Sequence, residues 1–327
     1  VKGDSTALQL LRKIQNANSS APILLTGCIP PDFEQKLLSE NSNVSLANLD
    51  VLRKNPDLLN EWLKGNGFRE NLKEKTPRIF TPGMAQESPH IGILNISDGC
   101  LDACSFCSTR LVKGKHRSVS PEKILSEAKR YLENGCKELW LTGQDTSCYG
   151  FDIGTNLAEL AKKILEQNSG DYKIRLGMGN PRHLEKYLDE MLSVYEDERI
   201  YKFIHLPVQS GSDSVLQAMG RKHNVDTFRK MAEAFISKFS YFTLSTDIIV
   251  GFPAETREDF EQTCKLISDL KPSICNITRF VPRPNTVAEK LPGKIPGKEQ
   301  HYRSATLSEL FQKIALENNL SRVGKTT

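Results

Sequence analysis

Six short apolar runs recur between residues 89 and 327, and amphipathic segments separate them. The runs are Ile91–Ile96, Leu139–Thr142, Ile174–Leu176, Phe203–Leu206, Leu244–Val250 and Ile274–Val281. Apolar runs of this length are typical of strands that are buried on both faces of a parallel sheet. Since a closed barrel needs eight such strands, six strands alternating with helices predict an open α/β barrel of six units.

The segments between the runs carry apolar residues at helical spacing. They predict helices at Glu122–Glu133, Leu157–Gln167, Leu184–Tyr195, Asp226–Phe239 and Arg257–Leu270. Ser120 followed by Pro121 is a typical helix start, and Gly135 is a typical helix end. A final helix is expected from about Arg303 to Asn319.

The first 70 residues have their own pattern. A helix from Asp4, a strand over 22–28, a helix near 32–39, a weak strand at 44–46 and a helix near 56–64 predict part of a doubly wound α/β domain. Residues 71–88 are rich in Lys, Glu, Pro and Thr and show little periodicity, as linkers do. We therefore expect three segments: a partial α/β domain (1–70), a linker (71–88), and the barrel with a C-terminal helix (89–327).

Composition narrows the class of protein. Of 327 residues, 38% are hydrophobic and 26% are charged, as in globular domains. No apolar run approaches the roughly 18 residues that span a membrane, and no leader pattern is present, so we expect a cytoplasmic protein. The net charge of +4 is compatible with an RNA partner without requiring one.

Cys100, Cys104 and Cys107 form a C-x3-C-x2-C motif directly after the first barrel strand. A four-iron cluster normally takes four thiolates, so three leave one iron open for another ligand. Two other interpretations remain: a zinc site with His116 as the fourth ligand, and inert thiols. Four more cysteines stand singly in or beside apolar segments and are expected to serve packing: Cys136, Cys148, Cys264 and Cys275.

With Phe106 before its last cysteine, this motif closely resembles that of the radical S-adenosylmethionine (SAM) enzymes. The resemblance implies a six-unit open barrel, a catalytic 4Fe–4S cluster on the three cysteines, and SAM bound to the open iron. It also implies that backbone at the Phe106 position holds the adenine of SAM.

The carboxyl ends of the other strands supply candidate SAM contacts, since reactive groups of parallel barrels lie there. Gly143 allows close backbone approach and Gln144 offers a donor and an acceptor, although an ordinary turn has the same sequence features. Arg175 can bind the SAM carboxylate or form a surface salt bridge. Further polar candidates on the fourth and fifth strand ends are Gln209, Ser212, Thr246 and Asp247.

Basic residues lie beside this predicted mouth. Lys113, Lys115 and Arg117 follow the cysteines, and Arg279 and Arg283 follow the sixth strand. Such residues often form a solvated face. Next to an active centre they are also candidates for contacts with RNA phosphates, which position a base without reading sequence.

Within the radical SAM enzymes, the chain resembles the methylthiotransferases, and specifically their archaeal and eukaryotic branch. The motifs that carry the resemblance are Cys100–Cys107, Arg110–Lys115, His205–Ser212, Ser245–Thr256 and Cys275–Pro284. The resemblance implies addition of a methylthio group to C2 of N6-threonylcarbamoyladenosine, next to the anticodon of tRNA. Implied partners are tRNA and a reducing electron donor, and we expect a monomer.

Family members hold a second 4Fe–4S cluster on three N-terminal cysteines and usually end in an RNA-binding TRAM domain. Cys28 matches the third of these cysteines, whereas the first two would precede Val1 and the TRAM domain would follow Thr327. We therefore expect either that the gene product is longer than these 327 residues, or that this chain cannot hold the second cluster. The rival functions are methylthiolation of an aspartate on a ribosomal protein, and a non-catalytic iron–sulfur or zinc module that binds RNA.

Overall fold

A computed structural model describes residues 2–18, 20–26, 29, 31–40, 43–47, 51–52, 55–65 and 89–325. The predictions for Cys28 and for the linker 71–88 lie outside these residues. The chain divides into two compact units. One consists of Val1–Ile79 with Leu111–Gly114, and the other of Phe80–Arg110 with Lys115–Thr327.

The smaller unit alternates helices and strands in the predicted order. Its described elements are α1 (Lys2–Ala17), β1 (Ile23–Thr26), α2 (Pro31–Glu40), β2 (Val44–Ala47) and α3 (Pro56–Leu63). β1 and β2 pair in parallel, with Ile23 opposite Val44. A buried apolar cluster in this unit consists of Leu11, Ile23, Leu37, Val44 and Leu46. This arrangement agrees with a doubly wound α/β layer.

The larger unit contains six parallel strands at the predicted positions. They are β3 (Ile91–Asn95), β6 (Glu138–Thr142), β7 (Lys173–Leu176), β8 (Phe203–His205), β9 (Thr243–Val250) and β10 (Ile274–Arg279). β3, β6 and β7 form one sheet, and β8, β9 and β10 form the next. A parallel bridge between Ile174 and Ile200 joins the two sheets. The six strands therefore follow one another as in an open barrel, which confirms the predicted fold class.

A short antiparallel pair, β4 (Ser97–Asp98) with β5 (Arg117–Ser118), brackets the cysteine motif. The short helix α4 (Thr109–Lys113) has residues in both units. The other described helices of the larger unit are α5 (Pro121–Glu133), α6 (Leu157–Gln167), α7 (Pro181–Leu184), α8 (Leu188–Val194), α9 (Asp213–Ala218), α10 (Val225–Lys238), α11 (Arg257–Leu270) and α12 (Gly297–Arg322). None of the helices in the described ranges is long and apolar enough to cross a bilayer.

One predicted helix differs from the structure. The segment predicted as a single helix at Leu184–Tyr195 is divided into α7, a 3-10 turn at Glu185–Tyr187, and α8. Tyr187 is buried, and its hydroxyl donates to the carbonyl oxygen of Ser147 (2.6 Å). This long-range contact accompanies a break in helical geometry, since Tyr187 has φ −144°.

Successive side chains along a strand point to opposite faces of the sheet. One set enters the core, and the other faces the barrel interior. Leu139 and Leu141 are fully buried in the core that the surrounding helices share. Trp140, between them, is partly exposed and faces the other side, opposite Arg175 on β7. The barrel interior is therefore lined by polar and aromatic side chains that remain accessible to a ligand.

Candidate functional site

Ser105, in the cysteine loop, forms hydrogen bonds with two other segments. Ser105 donates its backbone N–H to the carbonyl oxygen of Met219 (2.8 Å) and its hydroxyl to that of Ala218 (2.9 Å). Its own carbonyl accepts from the N–H of Ala288 (2.8 Å). Phe106 packs in a small apolar cluster that includes Met219 and Phe252. The loop is thus fixed over the second half of the barrel, although it follows the first strand.

Each thiol of the motif lies in an environment suited to a cluster. Arg221 Nη1 is 3.6 Å from Cys104 Sγ, and the Thr109 N–H donates to Cys107 Sγ (3.4 Å). Burial, with a smaller effect of the Asp145 charge, raises the pKa of Cys100 to about 12. Because the Cys100 thiol resists ionisation, a metal centre bound there would have to stabilise its thiolate. N–H groups directed at cluster sulfurs are among the features that set cluster potentials.

The three sulfurs of the motif do not lie as close together as the ligands of a single metal ion. Among the described residues, one group of three metal-binding side chains has its ligand atoms within 4.8 Å of one another, and it is not the cysteine motif. A mononuclear zinc site needs such close convergence. A four-iron cluster does not, since each thiolate binds a different iron. His116, the predicted fourth ligand of a zinc site, instead approaches Cys148, with Nδ1 3.4 Å from Sγ.

Three candidate SAM contacts lie in the first half of the barrel. The side-chain oxygen of Gln144 accepts from the N–H of Gly99 (2.6 Å), so this residue holds the turn before Cys100. A Cβ on Gly143 would lie 2.8 Å from Ser97 Oγ, which gives the glycine a packing role. The Arg175 guanidinium lies over the rings of Trp140 and Phe203, at 5.2 and 4.9 Å from the centroids. Arg175 therefore faces the barrel interior rather than the outer surface.

Three candidates of the second half are directed into the fold. Ser212 is buried and hydrogen-bonds Asp259 at the start of α11. Thr246 is fully buried, and its hydroxyl donates to the Leu206 carbonyl (2.9 Å). The backbone of Gln209 pairs with β9: its N–H donates to the Asp247 carbonyl, and its carbonyl accepts from the Ile249 N–H (both 2.9 Å). Gln209 adopts φ 79°. These contacts shape the mouth, and the SAM-contact prediction for these side chains stays a prediction.

Asp247, in contrast, faces the interior together with neighbours on two adjacent strands. His205 Nε2 lies 2.9 Å from Asp247 Oδ1, and Asn276 Nδ2 donates to the same oxygen (2.8 Å). Burial favours the neutral acid, but the hydrogen bonds from His205 and Asn276 lower the pKa of Asp247. This carboxylate stays charged and partly exposed in the interior.

The Gly251–Glu255 segment serves a contact that the sequence did not indicate. Arg303 on α12 donates to Glu255 Oε2 (2.7 Å), and both side chains are almost fully buried. The same carboxylate oxygen accepts from the Gly251 N–H (2.6 Å). This part of the Ser245–Thr256 motif therefore docks the C-terminal helix.

The candidate RNA contacts divide by exposure. Lys115, Arg117, Arg279 and Arg283 are exposed, whereas Lys113 is half-buried. Lys115 forms a bridge with Cys100, and Arg279 ends β10. Lys115, Arg117, Arg279 and Arg283 therefore lie at strand or loop positions of the larger unit, whereas Lys113 ends α4 and belongs to the smaller unit.

Sequence analysis missed Asp102, which lies inside the cysteine motif and is buried. Its oxygens accept from Arg182 Nη1 (2.5 Å) and from the Asn180 side-chain amide. Burial alone would raise the pKa of Asp102, but His183 and Arg182 outweigh it and lower the value to about 2. Two sequence features could have indicated this residue. Asp102 lies between two cysteines of the motif, and its partners come from the segment Asn180–His183 after the third barrel strand.

Comparison with known proteins identifies the family. The Radical SAM superfamily profile matches residues 94–267. A probable threonylcarbamoyladenosine tRNA methylthiotransferase from Pyrococcus horikoshii is 37% identical over 98% of this chain and 76% of its own length. One from Archaeoglobus fulgidus is 39% identical with the same coverage. The human threonylcarbamoyladenosine tRNA methylthiotransferase is 35% identical over 92% of this chain and 52% of its own length.

Solved structures agree on the fold. The apo form of the cobalamin-dependent SAM radical enzyme OxsB superposes with a TM-score of 0.58, 14% identity, and coverage of 95% of this chain and 46% of that one. Coproporphyrinogen III oxidase from Escherichia coli, a radical SAM enzyme, gives a TM-score of 0.50 at 17% identity over 70% of this chain and 54% of that one. With the cysteine loop at the mouth of six parallel strands, the chain belongs to the radical SAM superfamily and, within it, to the threonylcarbamoyladenosine tRNA methylthiotransferases.

Proposed function

We propose that this protein adds a methylthio group to C2 of N6-threonylcarbamoyladenosine next to the anticodon of tRNA. The observation that carries the proposal is the cysteine loop, which is clamped over the barrel interior in a chain of this family. A 4Fe–4S cluster bound there supplies the electron that cleaves SAM. A radical made at this mouth would be shielded from water by the barrel, as seclusion of reactive intermediates requires.

The residues of this chain would hold and orient the ligands. Cys100, Cys104 and Cys107 would bind the cluster, and Arg221 and Thr109 would direct N–H groups at its sulfurs. Arg175, whose guanidinium lies over two aromatic rings, is suited to the SAM carboxylate. Asp247, held by His205 and Asn276, is suited to accept ribose hydroxyls.

Phe106 would contribute backbone contacts to adenine, and Gly143 and Gln144 would lie near the SAM amino group. Gln209, Ser212 and Thr246 would support these contacts by holding β8, β9 and α11 together. Cys28 would serve the second 4Fe–4S cluster, the sulfur donor, in the complete protein.

The tRNA would approach across the basic residues Lys113, Lys115, Arg117, Arg279 and Arg283. An unpaired anticodon loop allows its base to enter the barrel at low cost. A low-potential reductant would supply the electron. A tRNA substrate favours the cytoplasm, and we propose that the protein acts there as a monomer.

Two measurements test this function. Nucleosides of tRNA from a deletion strain should lose the 2-methylthio derivative and accumulate N6-threonylcarbamoyladenosine. Reconstituted protein given dithionite and SAM should form 5′-deoxyadenosine, and Cys104→Ala should abolish that product while the half-buried Cys264→Ala leaves it unchanged. An intact 2-methylthio signal in the deletion strain would overturn the tRNA assignment and favour the ribosomal aspartate. Absence of 5′-deoxyadenosine from cluster-loaded protein would favour a non-catalytic module.

A further inference from the structure

A second group of metal-binding side chains lies next to the cysteine motif. Asp145 caps the start of the 3-10 turn after β6, Cys148 is the last residue of that turn, and His183 lies in α7 after β7. One ligand atom from each residue lies within 4.8 Å of the other two. All three residues are buried, at 2%, 0% and 2% exposure. The C-x3-C-x2-C motif uses none of them.

Two of these side chains point unpartnered polar atoms into the group. Asp145 Oδ1 accepts from the N–H groups of Ser147 (3.0 Å) and Asn180 (3.2 Å), whereas Oδ2 has no hydrogen-bond partner among the described residues. Neither ring nitrogen of His183 has one either. His183 Nε2 lies 3.7 Å from Asp145 Oδ2, which is too long for a hydrogen bond. Buried polar atoms left in this way are costly unless a ligand satisfies them.

Charge points to a cation as that ligand. Asp102 and Asp145 place two carboxylates in the interior. Among the described residues, Arg182 is the one arginine or lysine that forms an ion pair with either of them, and its side chain is 39% exposed. Asp102 Oδ1 is also 3.5 Å from His183 Nε2 and thus within reach of the same ion. A buried excess of negative charge needs compensation by a cation or a proton.

We propose that Asp145, Cys148 and His183 bind a divalent cation of zinc-like character. One imidazole nitrogen, one sulfur and carboxylate oxygen form a ligand set that suits zinc, whereas calcium and magnesium prefer oxygen alone. His116 Nδ1, 3.4 Å from Cys148 Sγ, is placed to orient the sulfur from the outer shell.

The site would stabilise the cysteine loop from beneath. The ion would join the end of β6 to α7, and the adjoining Asn180 and Arg182 hold Asp102 within that loop. Since the ion is separate from the cluster sulfurs, its role would be structural, and it would persist when the cluster is lost.

Metal analysis of the full chain after cluster reconstitution tests the proposal. We expect about one zinc per chain in addition to iron, as one structural site requires. Cys148→Ser and Asp145→Asn should each weaken zinc retention against a chelator by at least about tenfold. Cys136→Ser, a change at a buried thiol elsewhere in the core, should leave zinc content unchanged. We expect the same zinc content, and the same losses on substitution of Asp145 or Cys148, in a protein that also carries Cys100→Ala, Cys104→Ala and Cys107→Ala. These three changes remove the competing thiolates of the motif.

Zinc-edge X-ray absorption on the wild-type protein gives a readout that needs no variant to fold. We expect one sulfur at about 2.3 Å and nitrogen or oxygen ligands at about 2.0–2.1 Å. A shell of three or four sulfurs would overturn the proposal, because the zinc would then occupy the cysteine motif. Protein without zinc after growth and reconstitution with added zinc would also overturn it, and a protonated His183 between the carboxylates would then be the cation.

Discussion

Two polar regions of the barrel differ in how far water reaches them. Beneath the cysteine loop, the side chains of Asp102 and His183 are 2% and 3% exposed. In the barrel interior of the second half, those of His205 and Asp247 are 21% and 28% exposed. Both regions place a histidine close to an aspartate, yet only the second is open enough to meet a ligand as large as SAM.

The difference separates two roles for polar residues at strand ends. A buried polar group costs free energy unless every partner is present, so it specifies one arrangement of the chain. A half-exposed group exchanges its partners with water at small cost and is available for binding. We therefore expect substitutions under the loop to reduce stability and substitutions in the interior to reduce activity.

We expect the largest loss of stability from breaking a buried ion pair in the second half of the barrel. Burial of the two charges, and not their place in the barrel, determines the size of this loss. Arg303→Met leaves the Glu255 carboxylate buried without its cation and should lower the free energy of unfolding by about 3–5 kcal/mol. Urea denaturation measures this loss. Lys313→Met on the same helix breaks only an exposed pair with Glu309 and should have little effect. If both substitutions lowered the free energy of unfolding equally, burial would not be the cause of the loss.

A smaller loss is expected for Asp102→Ala. The change leaves the Asn180 amide without its acceptor in a buried position, whereas Arg182 can turn toward water. We expect a loss of about 2–3 kcal/mol in the free energy of unfolding, measured on cluster-free protein. Retention of full stability would mean that Asp102 serves the cluster and not the fold.

A pH effect should follow from Asp259, which receives hydrogen bonds from Ser212, Ser214 and Thr256. Burial opposes ionisation, but these bonds outweigh it and lower the pKa of Asp259 in the folded protein. Its stabilisation is therefore present above the unfolded-state pKa of about 4 and is lost as pH falls through the lowered folded value. The stability difference between wild type and Asp259→Asn should shrink over that range of pH. A difference that does not change with pH would exclude this charge as its source.

The smallest effect on stability should come from Asp247→Asn in the barrel interior. We expect less than about 1 kcal/mol, since the His205–Asp247 pair is partly hydrated. Formation of 5′-deoxyadenosine should nevertheless fall by at least about tenfold, or about 1.4 kcal/mol in the activation free energy. A stable variant with full SAM cleavage would remove Asp247 from the SAM site and break the contrast between the two regions.

The sequence by itself determined the architecture and the cysteine motif. Six apolar runs placed all six barrel strands, because strands buried on both faces leave a continuous apolar signature. Helices Leu157–Gln167 and Arg257–Leu270 have their predicted bounds, since their caps are local: Asn156 and Thr256 each accept from a backbone N–H three residues ahead. The cysteine motif could also be assigned from the sequence, because its three cysteines lie in one loop.

Only the tertiary structure decided which polar side chains face the barrel interior. Thr246 lies beside Asp247 in β9, and Ser212 lies in the loop after β8, but contacts with Leu206 and with Asp259 on α11 turn these two side chains into the fold. The convergence of Asp145, Cys148 and His183 joins residues up to 38 positions apart. Strand ends are set by local apolar patterning, whereas the direction and partners of a side chain depend on segments distant in sequence that pack against it.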